Sequence, residues 1–483
     1  MTSYPRARMT SSHSPTVPAR RLRDRLLGDW QRDLTSYHWF VFLVAAIGWL
    51  ADCMDQQLFV LTRDDAMREL LAPLYPDPTE LTRRVSEFGG YATAIFLIGW
   101  AVGGLGFGIM GDRVGRVKTL LLTVVLYSLF TGLSILSTGF WDFAFYRFLT
   151  GLGVGGEFAV GVALVAEVMP DRARPIALGL LQASSAVGNC MAALIYILLG
   201  HAEMAGWLTG LSLWGLPLTG WRIAFLVGTV PALLALIVRR RLKEPERWRA
   251  TKDQSRRLGS YGELFGDPRW RKNALIGLGL GFAAVVGLWG IGFFGVQLAK
   301  QVLQKGLAEQ NLTGTELSAQ VKIWGGWYSF FLNVGGGLGM TYFGYLAARI
   351  SRRAAFGLAF TVSMVAVAYT FWFFDRPSQI FWLTPLMGFC LLSVFAVLAI
   401  YLPELFPTRL RSTGTSFCYN VGRVVAAIGP FIFGVLTSHV FIAEHGFTRE
   451  PMRYAGVSMC AIFLLGLAVL PFAMETKDKP LPE

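Results

Sequence analysis

Four charged residues stand in the middle of apolar runs. Asp52 and Asp55 lie between Trp39 and Leu61, Glu157 between Phe143 and Val168, and Arg423 between Ser412 and Val440. As a helix, each run can cross ~30 Å of hydrocarbon. A charge at that depth costs at least ~2.5 kcal/mol on insertion scales, so each must face a bundle interior or water. Asp52 and Asp55 are i, i+3 neighbours and share a helix face. Two carboxylates so close in low dielectric cannot both ionise readily, which suits proton uptake from one side and release to the other. Asp52, Asp55 and Glu157 are therefore candidate proton-coupling residues. The blander reading has them bonded to backbone or paired with an arginine. Arg423 has no acid near it on its own helix. It is a candidate to hold a ligand carboxylate through two parallel hydrogen bonds, or else a structural partner for those acids across the bundle.

Gln56, Tyr91, Gln182, Asn189, Trp289, Tyr328, Asn333, Tyr419 and Asn420 are further polar or aromatic positions in such runs. Gln182, Tyr328, Asn333 and Asn420 are taken as candidate ligand contacts, although any single aromatic more often packs than binds. Nothing points to an enzyme, a cofactor or a metal site. HExxH, GxSxG and GxxxxGK[ST] motifs are absent, and the five histidines are scattered over tails, loops and helix ends. The five cysteines all lie in apolar runs without a CxxC pair and read as small core residues. Without a Walker motif, any work must draw on an ion gradient or on the ligand's own gradient.

The elements that would position these residues are membrane helices. Apolar residues make up 54% of the 483 and charged residues only 16%, against roughly 25% charged in a soluble domain. The pattern predicts spans at about 39–61, 89–110, 117–136, 143–168, 175–200 and 221–238, then 274–296, 323–346, 354–374, 380–402, 412–440 and 454–472. This is an all-α membrane protein with twelve transmembrane helices in two pseudo-symmetric six-helix bundles. Residues 1–38 form an N-terminal tail without a signal peptide's apolar stretch, 39–238 the first bundle, 239–272 a linker, 273–474 the second bundle and 475–483 a C-terminal tail. Pro430 is expected to kink span eleven. The net charge of +13 is carried largely by short loops after even-numbered spans, among them Arg113, Arg116, Arg172, Arg174, Arg349, Arg352, Arg409 and Arg411. Basic loops set orientation and do not call for nucleic acid; they place both termini in the cytoplasm and the chain in the inner membrane.

The chain also repeats itself. Gly108-Ile-Met-Gly-Asp112-Arg113-Val-Gly115-Arg116 after span two matches Gly344-Tyr-Leu-Ala-Ala348-Arg349-Ile-Ser351-Arg352 after span eight. Glu167-Val-Met-Pro-Asp-Arg172 at the end of span four matches Glu404-Leu-Phe-Pro-Thr-Arg409 at the end of span ten. Two matched pairs half a chain apart indicate duplicated bundles, and parallel repeats place a ligand site at their interface near the bilayer midplane. The segment from Gly108 to Lys118 resembles the signature loop of the major facilitator superfamily. Arg147-Phe-Leu-Thr-Gly151-Leu-Gly153-Val-Gly155-Gly156-Glu157 is similar to its fourth-helix motif. Lys243-Glu-Pro-Glu-Arg-Trp248 and Pro403-Glu-Leu-Phe-Pro-Thr-Arg409 resemble the ends of helices six and ten in sugar-porter-like and organic-acid-porter-like members. Asp52-Cys-Met-Asp55 and Arg423 resemble features of aromatic acid:proton symporters, and Glu157 those of niacin-type and metabolite:proton symporters.

That resemblance implies alternating access, and it implies a gate latch built from the repeated loops. The candidate gate residues are Asp112, Arg113, Arg116, Glu167, Arg349, Arg352, Glu404 and Arg409. An aspartate there can meet the positive end of a neighbouring helix, while arginines bond to carboxylates across the gap. Ala348 and Ser351 replace the aspartate and glycine in the second copy, so the second latch is expected to be weak. The resemblance gives Arg147 a part in proton transfer; it could equally hold helices one and four together. The favoured reading is a secondary transporter of a small organic anion, driven by protons, in the lipid bilayer and monomeric. An efflux or exchange carrier of the same fold, or a membrane sensor that does not transport, are the alternatives.

Overall fold

The computed structural model describes residues 29–31, 33–213, 215–230, 241–254, 258–308, 314–426, 429–441, 446–447 and 449–482. Most of the expected N-terminal tail, the second half of span six and parts of the linker lie outside these residues, as do the side chains of Trp289 and Pro430. The first bundle holds α1 (Ser36–Leu71), α2 (Pro78–Arg113), α3 (Arg116–Leu133), α4 (Phe140–Val168), α5 (Arg174–Met204) and α6 (Gly220–Val227). The short helices α7 (Glu246–Gln254) and α8 (Tyr261–Gly266) follow. The second bundle holds α9 (Pro268–Val285), α10 (Phe293–Ala308), α11 (Gly314–Arg349), α12 (Arg352–Phe373), α13 (Leu383–Glu404), α14 (Arg411–Ala426), α15 (Gly429–Val435), α16 (Pro451–Met459) and α17 (Ile462–Val469). A π-helical stretch, Val286–Gly292, joins α9 to α10 in span seven. Among the described residues, nine helical segments are long and apolar enough to cross a membrane. The architecture is that of twelve membrane helices in two six-helix bundles.

The helices start where side chains satisfy their first amides. Thr35 accepts from the His38 amide, Asp77 from Glu80 and Ser351 from Ala354. Pro78 and Pro268 sit in first turns, where a missing N–H costs nothing. The polar stretch after Leu61, expected as a loop, is mostly helix: α1 runs on to Leu71 and α2 begins at Pro78. Its charges are good helix formers that pair along the surface, as Arg84 does with Glu87 at 3.0 Å. Their polarity marks solvent at a helix end, not a break in the helix.

Within the first bundle α2 and α4 cross at backbone distance. A Cβ on Gly99 or Gly103 would run into the carbonyls of Phe148 and Leu152, and one on Gly151 or Gly155 into those of Phe96 and Trp100. Small residues four apart on both helices allow this approach. The second bundle repeats it, with Gly335 and Gly339 of α11 against the carbonyls of Pro385 and Phe389.

Two antiparallel seams join the bundles. In the first, Gly104, Gly108 and Gly111 of α2 face Asn420, Ser416 and Ser412 of α14. In the second, Gly179 of α5 meets Gly344 of α11, and Ile197 meets Gly326 further along. Both seams start at the end of the molecule that carries the repeated arginine loops, called here the basic end.

Candidate functional site

The first seam leads from the basic end to Arg423. Eleven residues separate Gly111 from Trp100 on α2, about 16 Å of helix, which puts Arg423 deep in the membrane. Its guanidinium carbon lies 3.6 Å from the ring centre of Trp100 and 4.3 Å from that of Tyr419. Nη1 donates to Asn420 Oδ1 at 2.9 Å, while Nε is buried with no hydrogen-bond partner. The Asn420 amide donates across the seam to the Gly155 carbonyl at 3.4 Å and, within its own helix, to Ser416 Oγ at 3.0 Å. Tyr419 stacks on Phe158 of α4 at 3.9 Å, and Phe158 packs on Trp49 of α1.

Asp52 and Glu157 complete this centre from the first bundle. Each is 1% exposed. Glu157 packs on Gly48, so that a Cβ there would come within 2.7 Å of its carboxylate. Asp52 lies within electrostatic reach of Glu157, Asp55 and Arg423. None of these carboxylate oxygens has a hydrogen-bond partner, and no carboxylate is ion-paired with Arg423 among the described residues. Orphaned buried acids beside an incompletely bonded arginine cannot be explained as a finished structural ion pair.

Asp55 belongs to a second centre inside the first bundle. It faces Arg147 of α4, Thr131 of α3 and Gly228. Arg147 donates through Nε and Nη2 to Ser134 Oγ, at 3.2 and 2.7 Å, and leaves Nη1 without a partner. Its guanidinium lies 4.5 Å from the Phe225 ring, with Phe59 and Phe143 at 5.7 and 5.8 Å. The two acids that share a face of α1 thus look to different arginines.

The remaining candidate ligand contacts are dispersed. Asn333 accepts from Asn189 at 2.8 Å across the second seam. Gln182 is buried with Oε1 unpartnered. Tyr328 is held within the second bundle, its hydroxyl beside Gly295 and its ring against Phe374. Tyr91, expected to line an interior, is half-exposed and bonds to Glu87, because it lies on the outward face of α2.

At the basic end, Asp112 of α2 caps α14 of the other bundle. It accepts from the Ser412 and Thr413 amides at 3.1 and 2.9 Å and from Thr413 Oγ1 at 2.6 Å. Arg116 pairs with Glu167 at 2.9 Å and donates to the Thr408 carbonyl at 2.7 Å, and Glu167 also takes Arg411 at 2.8 Å. Arg352 pairs with Glu404 at 3.0 Å inside its own bundle. Arg113 and Arg409, grouped with these from sequence, instead bind the linker, at Leu258 O and at Glu263 of α8. Arg349 presents its carbonyl to Lys477 at 2.7 Å.

Sequence reasoning overlooked several partners. Trp100 carries no signal in the sequence, and Arg411 reads there only as one of the basic-loop residues that set orientation. At the opposite end, Lys322 of α11 bridges Asp65 of α1 and Glu203 of α5 at 2.8 and 2.9 Å, joining the bundles there. Near it Gln57 donates to Ser329 at 2.8 Å. Glu450 accepts from Lys305 and Arg453, and those bonds hold its carboxyl down at about 2. A reading of where α1 truly ends would have put Asp65 on a helix. Among the described residues no three His, Cys, Asp or Glu are grouped to hold a metal ion.

Comparison with known proteins fits this geometry. Residues 36–260 match the family model described as "Sugar (and other) transporter". A Haemophilus influenzae protein named as a metabolite transport protein is 30% identical over 409 residues, covering 83% of this chain and 89% of that one. A Cupriavidus pinatubonensis protein named as a 4-methylmuconolactone transporter is 30% identical over 430 residues, 88% of each. Among solved structures, the proton:xylose symporter XylE bound to 6-bromo-6-deoxy-D-glucose superposes with a TM-score of 0.68 at 19% identity, over 92% of this chain and 98% of that one. Relatives 30% identical over more than four-fifths of the chain identify it as a multi-pass membrane transporter, and it belongs to the major facilitator superfamily, its residues 36–260 matching the sugar (and other) transporter model.

Proposed function

We propose that this transporter carries a small organic carboxylate by alternating access, in symport with protons. The observation that carries the reading is Arg423: a guanidinium 2% exposed, on the inter-bundle seam, with an unpartnered Nε and no ion-paired acid among the described residues. A cation left in that condition has spare hydrogen-bonding capacity in low dielectric, where a carboxylate is the fitting anion. Relatives named as a cis,cis-muconate transport protein and a benzoate transport protein, 29% and 24% identical, support a carboxylate as the cargo class.

Asp52 and Glu157 neighbour the arginine, so their protonation state sets the charge an arriving anion meets. Asp55 and Arg147 form the separate pair through which a proton can be held while the anion site is filled. The basic end is cytoplasmic by the positive-inside rule, which places both termini there, and the membrane is the inner one. The latches at Asp112, Arg116 and Glu167 close that side.

The test is uptake of benzoate, nicotinate and cis,cis-muconate into proteoliposomes with an imposed pH gradient. Accumulation that follows the gradient is expected for at least one anion. Asp55→Asn should abolish accumulation while sparing counterflow, and Arg423→Lys should weaken binding ten-fold or more, because lysine lacks the planar pair of donors. Gradient-independent equilibration, or an Arg423→Lys protein with unchanged affinity, would reject the coupling or the carboxylate site respectively.

A further inference from the structure

The Arg423 side chain is not held by its own bundle alone. Tyr419, one turn earlier on α14, is a partner that travels with it. Trp100 is not: it sits on α2 in the first bundle, 1% exposed, with its ring centre closer to the guanidinium carbon than Tyr419's, 3.6 against 4.3 Å. The amide that orients Nη1, Asn420, is likewise tied to the first bundle through Gly155. Rings against the π surface leave the N–H edge as the surface that can donate. On that edge Nη1 is engaged and Nε is not.

We infer that Trp100 is a positioning residue that makes carboxylate affinity at Arg423 depend on closure of the α2/α14 seam. This rests on Arg423 being the carboxylate site. While the seam is shut, the indole fixes the plane of the guanidinium and the ligand meets an arginine already ordered. When the first bundle parts from α14, Arg423 loses its closest ring and the Asn420 amide loses its bond to Gly155 of α4, keeping only those to Ser416 of its own helix. The side chain regains its rotamers, and ordering it again must come out of the binding energy. Opening at the basic end and loosening of the anion are then one event, with no further signal required. The ring contact persists when the ligand binds, so what it contributes to affinity is the ordering it spares, up to about ten-fold for one long side chain.

The experiment compares full-length wild type, Trp100→Phe, Trp100→Leu and Arg423→Lys. Equilibrium binding of benzoate, nicotinate and cis,cis-muconate is measured in detergent, and counterflow of whichever binds is measured in proteoliposomes. Trp100→Phe keeps a ring and should stay within about three-fold of wild type. Trp100→Leu should raise both Kd and the half-saturation constant for counterflow by about five- to ten-fold, with the maximal counterflow rate retained. General damage to α2 packing would instead lower that rate and the melting temperature of the unliganded protein. Should Trp100→Leu fail to fold, Trp100→Met supplies bulk without a ring. Unchanged affinity in the leucine or methionine variant overturns the inference and leaves Arg423 as the carboxylate site. Loss in the phenylalanine variant equal to that in leucine also overturns it. Absence of wild-type binding to all three anions, or full affinity in Arg423→Lys, removes the carboxylate reading and the inference with it.

Discussion

The two copies of the basic-end loop are built alike until they meet the other bundle. In each, an arginine turns back to the carbonyl five residues earlier, Arg116 to Gly111 and Arg352 to Ala347. In each, that arginine pairs with the glutamate ending its bundle's fourth helix, Glu167 or Glu404. An arginine opening the next helix returns to the carbonyl eight residues back, Arg174 to Ala166 and Arg411 to Pro403. A carboxylate from beyond the bundle's last helix caps the third: Glu244 accepts from Val117 and Lys118, Glu475 from Arg352. The copies part where they face the other bundle. Asp112 crosses to α14, and Glu167 follows it across to Arg411. Ala348 has no group to reach with, Arg174 turns to Asp171, and Glu404 takes Thr476 of its own C-terminal tail. A cavity of 320 Å³ lies there, between Arg174, Ala348, Arg352 and the residues around Lys479. Duplication has kept the internal design of the loop twice and the bond between bundles once. At the basic end one seam is latched by charge, while the other rests on packing such as Gly179 against Gly344; the second seam's own ion pair, Lys322 with Glu203, lies at the opposite end.

The largest expected effect tests that difference directly. Glu167→Ala leaves Arg411 without a carboxylate and Arg116 with Asp112 alone, both arginines 0% exposed, and removing one partner of a buried ion pair costs about 3–5 kcal/mol. Glu404→Ala should cost about half as much or less, because Arg352 borders the cavity, where water can replace the lost oxygens. Thermal unfolding in detergent measures both. Equal losses would mean that the second copy is as tightly built as the first, and the contrast would fail.

A smaller effect, opposite in sign, comes from restoring the missing acid. Ala348→Asp places a carboxylate opposite the start of α5, as Asp112 stands at the start of α14. It should raise the melting temperature by the equivalent of ~1 kcal/mol and slow turnover several-fold, since opening must then break two latches. An Ala348→Asp protein that melts lower and transports as before would show that the second seam has no room for the first one's chemistry.

Much of this comparison was legible before folding. The repeated motifs announced the duplication, the apolar runs gave twelve spans, and the substitution of Ala348 for an aspartate was visible as a break in the repeat. The midplane charges were legible for the same reason: lipid makes a stray carboxylate or guanidinium expensive enough to stand out. What stayed hidden is whatever depends on a partner far along the chain. Nothing local ties Lys322 to Asp65, Trp100 to Arg423, or Glu475 to Arg352; each pair is made only when the helices assemble. The polar stretch after Leu61 misled for a different reason. Charged residues at the wet end of a long helix look like a loop when hydropathy is the only guide, although their helix propensity is good.

The smallest effect belongs to the part the copies share. Glu244 and Glu475 each cap the third helix of a bundle, so Glu244→Gln and Glu475→Gln should cost alike at neutral pH, at most about 1 kcal/mol each. For Glu475 the pH dependence follows from its surroundings. Burial pushes its carboxyl up, but the amides of Arg352, Lys477 and Arg353 outweigh burial and hold it below the ordinary glutamate range. A carboxyl that is more acidic folded than unfolded adds stability above its unfolded pKa and loses it as pH falls through the folded value. The gap in melting temperature between wild type and Glu475→Gln should therefore be full at pH 7 and close progressively as the buffer is taken down through the acid range. A gap that widens on acidification would mean the amides do not hold the charged form, and the cap would not be the common element that makes the two loops comparable.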